Sequence, residues 1–193
     1  MDWCAEVTHP SISSPRDLIA LLALCLISSG CIHTAAVKPR PENWAQTVEV
    51  AGMPNLHRVS PELYRSALPG ERGYESARKF GIKTVVNLRP GPSTSDLNGK
   101  PDPDYLNIPV RTSEPTYDQA RLFLKVVDDP ARAPVLLHCY HGADRTGAFI
   151  ALYRINRQGW TKDEAIREMT GGGYHFHTMW KSLVDWVRDS PPL

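Results

Sequence analysis

The chain has 193 residues, 41% of them hydrophobic and 22% charged. Those proportions suit one globular domain with a leader or tail, and they argue against a disordered chain. The 22 basic and 21 acidic residues nearly cancel, leaving a formal net charge of +1, so overall charge implies no nucleic-acid partner.

In chain order, the first feature is Leu18 to Ile27 (LIALLALCLI), an uncharged apolar run between Arg16 and Ser28-Ser29-Gly30-Cys31. It is too short to span a bilayer and has the length of a signal-peptide core. Residues 1–30 therefore read as a leader, and the alternatives are a buried helix or an uncleaved anchor. Small residues directly before Cys31 resemble the bacterial lipobox. That resemblance implies cleavage before Cys31, a lipid on it, and a protein tethered to an extracytoplasmic membrane face. Ser28 departs from the pattern, in which an aliphatic residue is commoner, and the leader carries Asp2, Glu6 and Asp17. Of the cysteines at 4, 25, 31 and 139, only Cys139 would then keep a free thiol, so no disulfide is expected.

Residues 31–54, punctuated by Pro39, Pro41 and Pro54, read as a linker. The domain is expected over 55–193. Leu63 to Ser66 is a short strand closed by Pro69-Gly70. Tyr74 to Phe80 is a helix ended by Gly81. Ile82 to Leu88 is rich in β-branched residues and reads as a buried strand. Arg89 to Pro103 is a loop, and Tyr105 to Val110 a strand with Pro109 near its edge. Tyr117 to Val127 has helical spacing of apolar residues. Pro134 to His138 is an apolar strand, and Ala148 to Arg157 a buried helix. Thr161 with Glu164 forms a capping box, and a last helix runs from about Thr178 to Arg188. This alternation predicts a single α/β domain with a central, mainly parallel sheet flanked by helices. No internal repeat is present, and a monomer is expected.

Chemistry concentrates in His138-Cys139-Tyr140-His141-Gly142-Ala143-Asp144-Arg145-Thr146-Gly147. A loop between an apolar strand and a helix can turn its backbone N–H groups inward as an anion nest, and the helix start adds orphan donors. Residues 140–145 would bind a phosphate there, with Arg145 holding two oxygens in its planar fork. The same field favours the thiolate of Cys139, the nucleophilic form. In-line attack would give a phosphocysteine that water hydrolyses, while Arg145 and the N–H groups stabilise the equatorial oxygens. Thr146 can donate its hydroxyl to the sulfur as it leaves. His138 is expected to order the loop rather than to act as a base.

These residues match the His-Cys-x5-Arg-Ser/Thr pattern of the protein tyrosine and dual-specificity phosphatases. Leu63-Tyr64-Arg65-Ser66-Ala67, Gly81 to Arg89, and Tyr153-Arg154 before Gly159-Trp160 resemble the atypical bacterial and plant-and-fungal dual-specificity group. The resemblance covers about 55–190. It implies a tyrosine phosphatase-like fold acting on a phosphorylated protein or small phosphomonoester. The family often supplies its proton from an Asp on a separate loop, but Arg111 to Asp118 lacks a Trp-Pro-Asp pattern. Asp144, directly before Arg145, resembles the loop acid of myotubularins and some bacterial tyrosine phosphatases, and is the first candidate. Asp118 and Glu114 are the alternatives, and Asp118 is equally an ordinary first-turn helix residue.

With only His141 cationic among the loop's variable positions, a singly phosphorylated substrate is favoured. Phosphoinositides or inositol phosphates are the runner-up. Rival classes are a non-catalytic phospho-ligand binder and a thiol redox enzyme, which would need resolving cysteines. Arg65 and Arg89 either line the cleft or cap strand ends. His175 and His177 flank Phe176 at a spacing that suits a metal, but no third ligand is legible. No metal or other cofactor is therefore expected.

Overall fold

In the computed structural model the described residues are 33–70, 72–91 and 103–193. The leader, Cys31, and most of the loop expected after Arg89 lie outside them. The chain divides into Met1–Cys31 and Ile32–Leu193, and the sheet with its helices belongs to the second unit.

Six short strands build one sheet: β1 Gln46–Thr47, β2 His57–Ser60, β3 Leu63–Ser66, β4 Thr84–Asn87, β5 Asp104–Asn107 and β6 Val135–His138. Their order is β1-β2-β3-β6-β4-β5. The last four in that order are parallel, and β1 and β2 extend the β3 side antiparallel. The expected α/β class with a mainly parallel sheet is the observed one. Period-two alternation explains why both faces of the sheet are dry. Val86 and Leu137 enter one core cluster with Leu63 and Val135. Their neighbours Val85 and Leu136 enter the other, with Met53, Leu56, Tyr74, Ala77 and Ile82. A central parallel strand covered on both sides must be apolar throughout, and β6 is fully buried along its length.

Helix α1, Gly73–Phe80, covers the Val85 face. The Val86 face is covered by α2, Tyr117–Asp128, with α3, Asp144–Gln158, α4, Lys162–Gly171, and α5, Lys181–Arg188. Helix α3 packs against α2, α4 and α5, which is why its apolar residues run round the helix. Burying Phe149, Ile150 and Leu152 there contributes about 1.5–3 kcal/mol each. Thr116 with Gln119, and Thr161 with Glu164, form capping boxes at the starts of α2 and α4. Among the described residues no helix is long and apolar enough to cross a membrane.

Two of the boundaries that differ from expectation bear on the domain and its loop. Trp44 and Ala45 are buried, β1 pairs with β2, and the Ala45 amide donates to Glu168 at 2.7 Å. Residues 44–54 thus belong to the domain, not to a linker. A two-residue strand is too short to leave a period in the sequence. Helix α3 also begins at Asp144, four residues before its apolar run, because its first turn is the end of the chemical loop.

Candidate active site

The register sets the stage. His138 at the end of β6 pairs with Ser66 of β3 and Asn87 of β4, so the chain beyond it leaves the sheet between two parallel neighbours. This is the C-terminal edge of the strands, where open α/β sheets bind their ligands. Cys139 is the first residue out, 2% exposed.

Residues 140–143 then turn back on themselves. Gly142 has φ +69, and a Cβ there would stand 2.4 Å from the Ser66 carbonyl carbon and oxygen. Only glycine meets both demands. The carbonyls of this turn are held from outside: Leu68 N–H donates to Tyr140 O at 2.9 Å, Asn55 Nδ2 to His141 O at 3.0 Å, and Arg65 Nη2 to Gly142 O at 2.6 Å. With the carbonyls bound outward, the N–H groups of Tyr140 to Arg145, which find no backbone acceptor among the described residues, are left for an anion on the inner side. They lead into the N-terminus of α3, whose orphan donors add to the cradle.

Arg145 closes it. Its Nη1 points at the carbonyls of Leu88 and Val110, at 3.4 and 3.3 Å, which leaves Nε and Nη2 as the phosphate fork. Arg65 is fully buried behind the loop, 3.6 Å above the Tyr174 ring, and so does not line the cleft. Burial pulls its guanidinium below its ordinary value, and burial pushes the Tyr174 phenol up to about 12. Tyr174 therefore stays a donor, to Glu168 at 3.0 Å. His138 donates from Nδ1 to the Cys139 carbonyl at 3.0 Å. Burial, ahead of the nearby Arg89, lowers it to about 4, so it is a neutral ordering group near pH 7.

The hydroxyl of Thr146 is buried without a partner; the expected bond to Cys139 is not formed in this structure. Asp144 is buried and faces His177. Its Oδ1 accepts the His177 backbone N–H at 2.9 Å, and its Oδ2 lies 2.8 Å from His177 Nδ1. Asp118 is on α2, its side chain 93% exposed and paired with Arg121. Glu114 is exposed and pairs with Arg111 at 3.6 Å. Of the three candidate acids, only Asp144 is built into the loop. Burial, with His177 alongside, holds His141 below the ordinary imidazole value.

Above the loop lies a pocket of about 470 Å³, lined by Arg89, Pro90, Arg111, Thr112, Ser113, Tyr140, Arg145 and Trp180. Arg89 is thus a cleft residue, 5.7 Å from the centre of the Tyr140 ring. Arg111 and Trp180 carried no signal in sequence, because they reach the cleft only through the fold.

A cradle of amides closed by an arginine suits a tetrahedral oxyanion, and the sulfur in its floor is placed to attack it. These two facts define a phosphatase that works through its cysteine. The chain belongs to the dual-specificity and tyrosine phosphatases: the family model described as DSP-PTPase phosphatase fused to NAD+ kinase matches residues 42–179. That start agrees with the structural boundary near Trp44. The chain is similar to the dual specificity protein phosphatase TpbA of Pseudomonas aeruginosa, 35% identical over 161 residues, which cover 82% of this chain and 72% of TpbA. The TpbA crystal structure matches with TM-score 0.68 and 34% identity, covering 78% of this chain and 92% of that one. A cysteine-to-serine variant of TpbA in complex with pTyr matches with TM-score 0.69. Inositol diphosphatase DSP5 of Arabidopsis thaliana is 26% identical over 123 residues, 60% of each chain.

Proposed function

We propose that the protein dephosphorylates phosphotyrosine in proteins. The observation that carries this is the mouth of the cleft, where Tyr140 and Trp180 stand at the rim of a pocket with Arg145 in its lining. A phenyl ring stacks on such walls while its phosphate reaches the amides. TpbA, whose overall fold the chain shares, is solved with pTyr bound.

The steps follow from the groups present. Cys139 Sγ attacks phosphorus, the bond to the leaving oxygen breaks, and that oxygen takes a proton from Asp144. Water then attacks the phosphocysteine, returns a proton to Asp144, and the phosphorus–sulfur bond breaks. The unpartnered Thr146 hydroxyl donates to the departing sulfur. Arg145 and the loop amides hold the three equatorial oxygens in both steps.

Inositol phosphates are the second reading. Arg89 and Arg111 bring to the rim positive charge beyond that of Arg145, and extra cations suit extra phosphates. A kcat/KM panel of phosphotyrosyl and phosphoseryl peptides, phosphoinositides and inositol phosphates decides between them. Phosphotyrosyl peptides should lead, and a preference for inositol phosphates would refute the proposal. Cys139→Ser should lose turnover and keep phosphopeptide binding; full activity in that variant would sink the mechanism.

The same proposal includes a lipid on Cys31 that holds the enzyme at an extracytoplasmic membrane face, supported by the apolar run and small residues before that cysteine. Cys31→Ala should release the protein from membranes, and unchanged membrane association would refute this part.

A further inference from the structure

Four of the chain's seven histidines, His33, His141, His175 and His177, come from three separate segments and meet beside the catalytic loop. The ring centres of His33 and His177 are 4.5 Å apart, those of His141 and His177 5.0 Å, and those of His33 and His175 5.7 Å. Asp144 completes the group. Ligand atoms of His141, Asp144 and His177 all lie within 4.8 Å of one another. Of the two histidines at 175 and 177, which lacked a third ligand in sequence, folding brings His177 to donors on the loop.

The geometry points to a Zn²⁺-binding site formed by His141, Asp144 and His177, with His33 as the fourth donor. Tetrahedral zinc with bonds of about 2.0 Å needs donors about 3.3 Å apart. The three donors close that gap by side-chain rotation, and the His141 and His33 rings are exposed and free to make it.

A second observation bears on ligand readiness. Histidines that hold metals are commonly oriented by a bond from the other ring nitrogen to a carboxylate or a backbone carbonyl. His177 has Nδ1 on Asp144 at 2.8 Å, and His33 has Nδ1 on the carbonyl of His175 at 3.1 Å. His33 thereby keeps Nε2 as its open ligand atom, whereas at His177 the Nδ1 and the Asp144 carboxylate face each other, so an ion ligated by both would take the place of the proton between them. Imidazole and carboxylate donors together suit zinc rather than magnesium or calcium.

The site joins three pieces of the chain. His141 and Asp144 belong to the phosphate loop, His177 to the segment between α4 and α5, and His33 to the chain ahead of β1, where it bridges to His177. Bound zinc would fix the loop beside the substrate pocket, whose lining includes none of the three histidines. It would also engage the carboxylate that the proposed reaction uses, so metal and turnover are coupled.

The test uses the full chain with all four cysteines replaced by serine, which removes thiol ligands and does not depend on activity. Zn²⁺ is titrated by calorimetry, and Co²⁺ serves as a spectroscopic probe. One equivalent of Zn²⁺ should bind with micromolar or tighter affinity, with a tetrahedral Co²⁺ spectrum and a rise of several degrees in unfolding temperature. His141→Ala and His177→Ala should each abolish that binding, and His33→Ala should weaken it roughly 10- to 100-fold. His141 is exposed on the loop, so its variant carries the test if His177→Ala fails to fold. No stoichiometric Zn²⁺ binding, or binding undiminished in His141→Ala, overturns the proposal.

Discussion

Gly142 and Gly159 offer a matched pair. Both have φ +69, yet a Cβ at Gly142 would stand 2.4 Å from the Ser66 backbone, while one at Gly159 would meet nothing within 4 Å. Alanine at either position carries the left-handed strain of an L residue, about 1–2 kcal/mol. At Gly159, the exposed C-cap of α3, that should be the whole cost. At Gly142 the new carbon must withdraw by about 1 Å to reach ordinary contact. Ser66 cannot retreat, because it is held in register against His138, so the loop must move instead. Movement breaks the Arg65 bond to the Gly142 carbonyl and adds about 1–3 kcal/mol for the buried group left unpaired. It also displaces the amides from the phosphate, and misplacement on that scale costs about 10²-fold in rate. Gly142→Ala should therefore lose about 2–5 kcal/mol in urea unfolding and about 10²-fold in kcat/KM on an aryl phosphate. Gly159→Ala should lose about 1–2 kcal/mol and keep its kcat/KM within about twofold. Equal kinetics in the two variants would refute the claim that close approach to Ser66 shapes the cradle.

Asp144→Asn keeps an oxygen for the His177 amide and removes the proton donor. The acidic limb of its pH–rate profile should flatten, and the rate with a poor leaving group should fall about 10²- to 10⁴-fold; an unchanged rate would return the role to Asp118 or Glu114. Arg65→Met leaves the Gly142 carbonyl without its buried donor, at about 1–3 kcal/mol, and should lower kcat more than it raises KM, since Arg65 touches the loop and not the cleft. Stability should also depend on acid. His57 and His138 are buried and lowered to about 4, burial being the first cause in each, so the fold prefers them neutral. Their contribution is complete above the unfolded value of about 6.5 and is lost as pH falls through 4, amounting to about 2 kcal/mol each by pH 5. Urea midpoints at pH 7 and pH 5 check this, and equal midpoints would contradict it.

The sheet and the strand–loop–helix turn that carries Cys139 were legible because both leave local signatures. β6 is apolar on two faces, Gly81 ends a helix, and Cys139 and Arg145 stand at a spacing that only a tight strand–loop–helix turn explains. What sequence could not show depends on contact between distant segments. Arg65 had two readings, and only the pairing of β3 with β6 puts it behind the loop. Arg89 was open for the same reason. Trp44 and Ala45 looked like linker because their partners, α4 and the 174 segment, lie more than a hundred residues away. The histidine cluster was half visible at 175 and 177, and its other half needed the loop to fold back.

Glu168 is where the N-terminal segment joins the catalytic half. It lies 1% exposed and accepts from Arg154 Nε at 2.8 Å, Arg154 Nη2 at 3.0 Å, the Tyr174 hydroxyl and the Ala45 amide. A piece of this chain that keeps every one of these donors therefore begins ahead of residue 44. A fragment cut at residue 55 would keep every group that touches phosphate, yet it would take one donor from a buried carboxylate and strip β1 from β2. The bared strand would offer its unpaired backbone to other molecules, so such a fragment should precipitate rather than fold into a smaller enzyme.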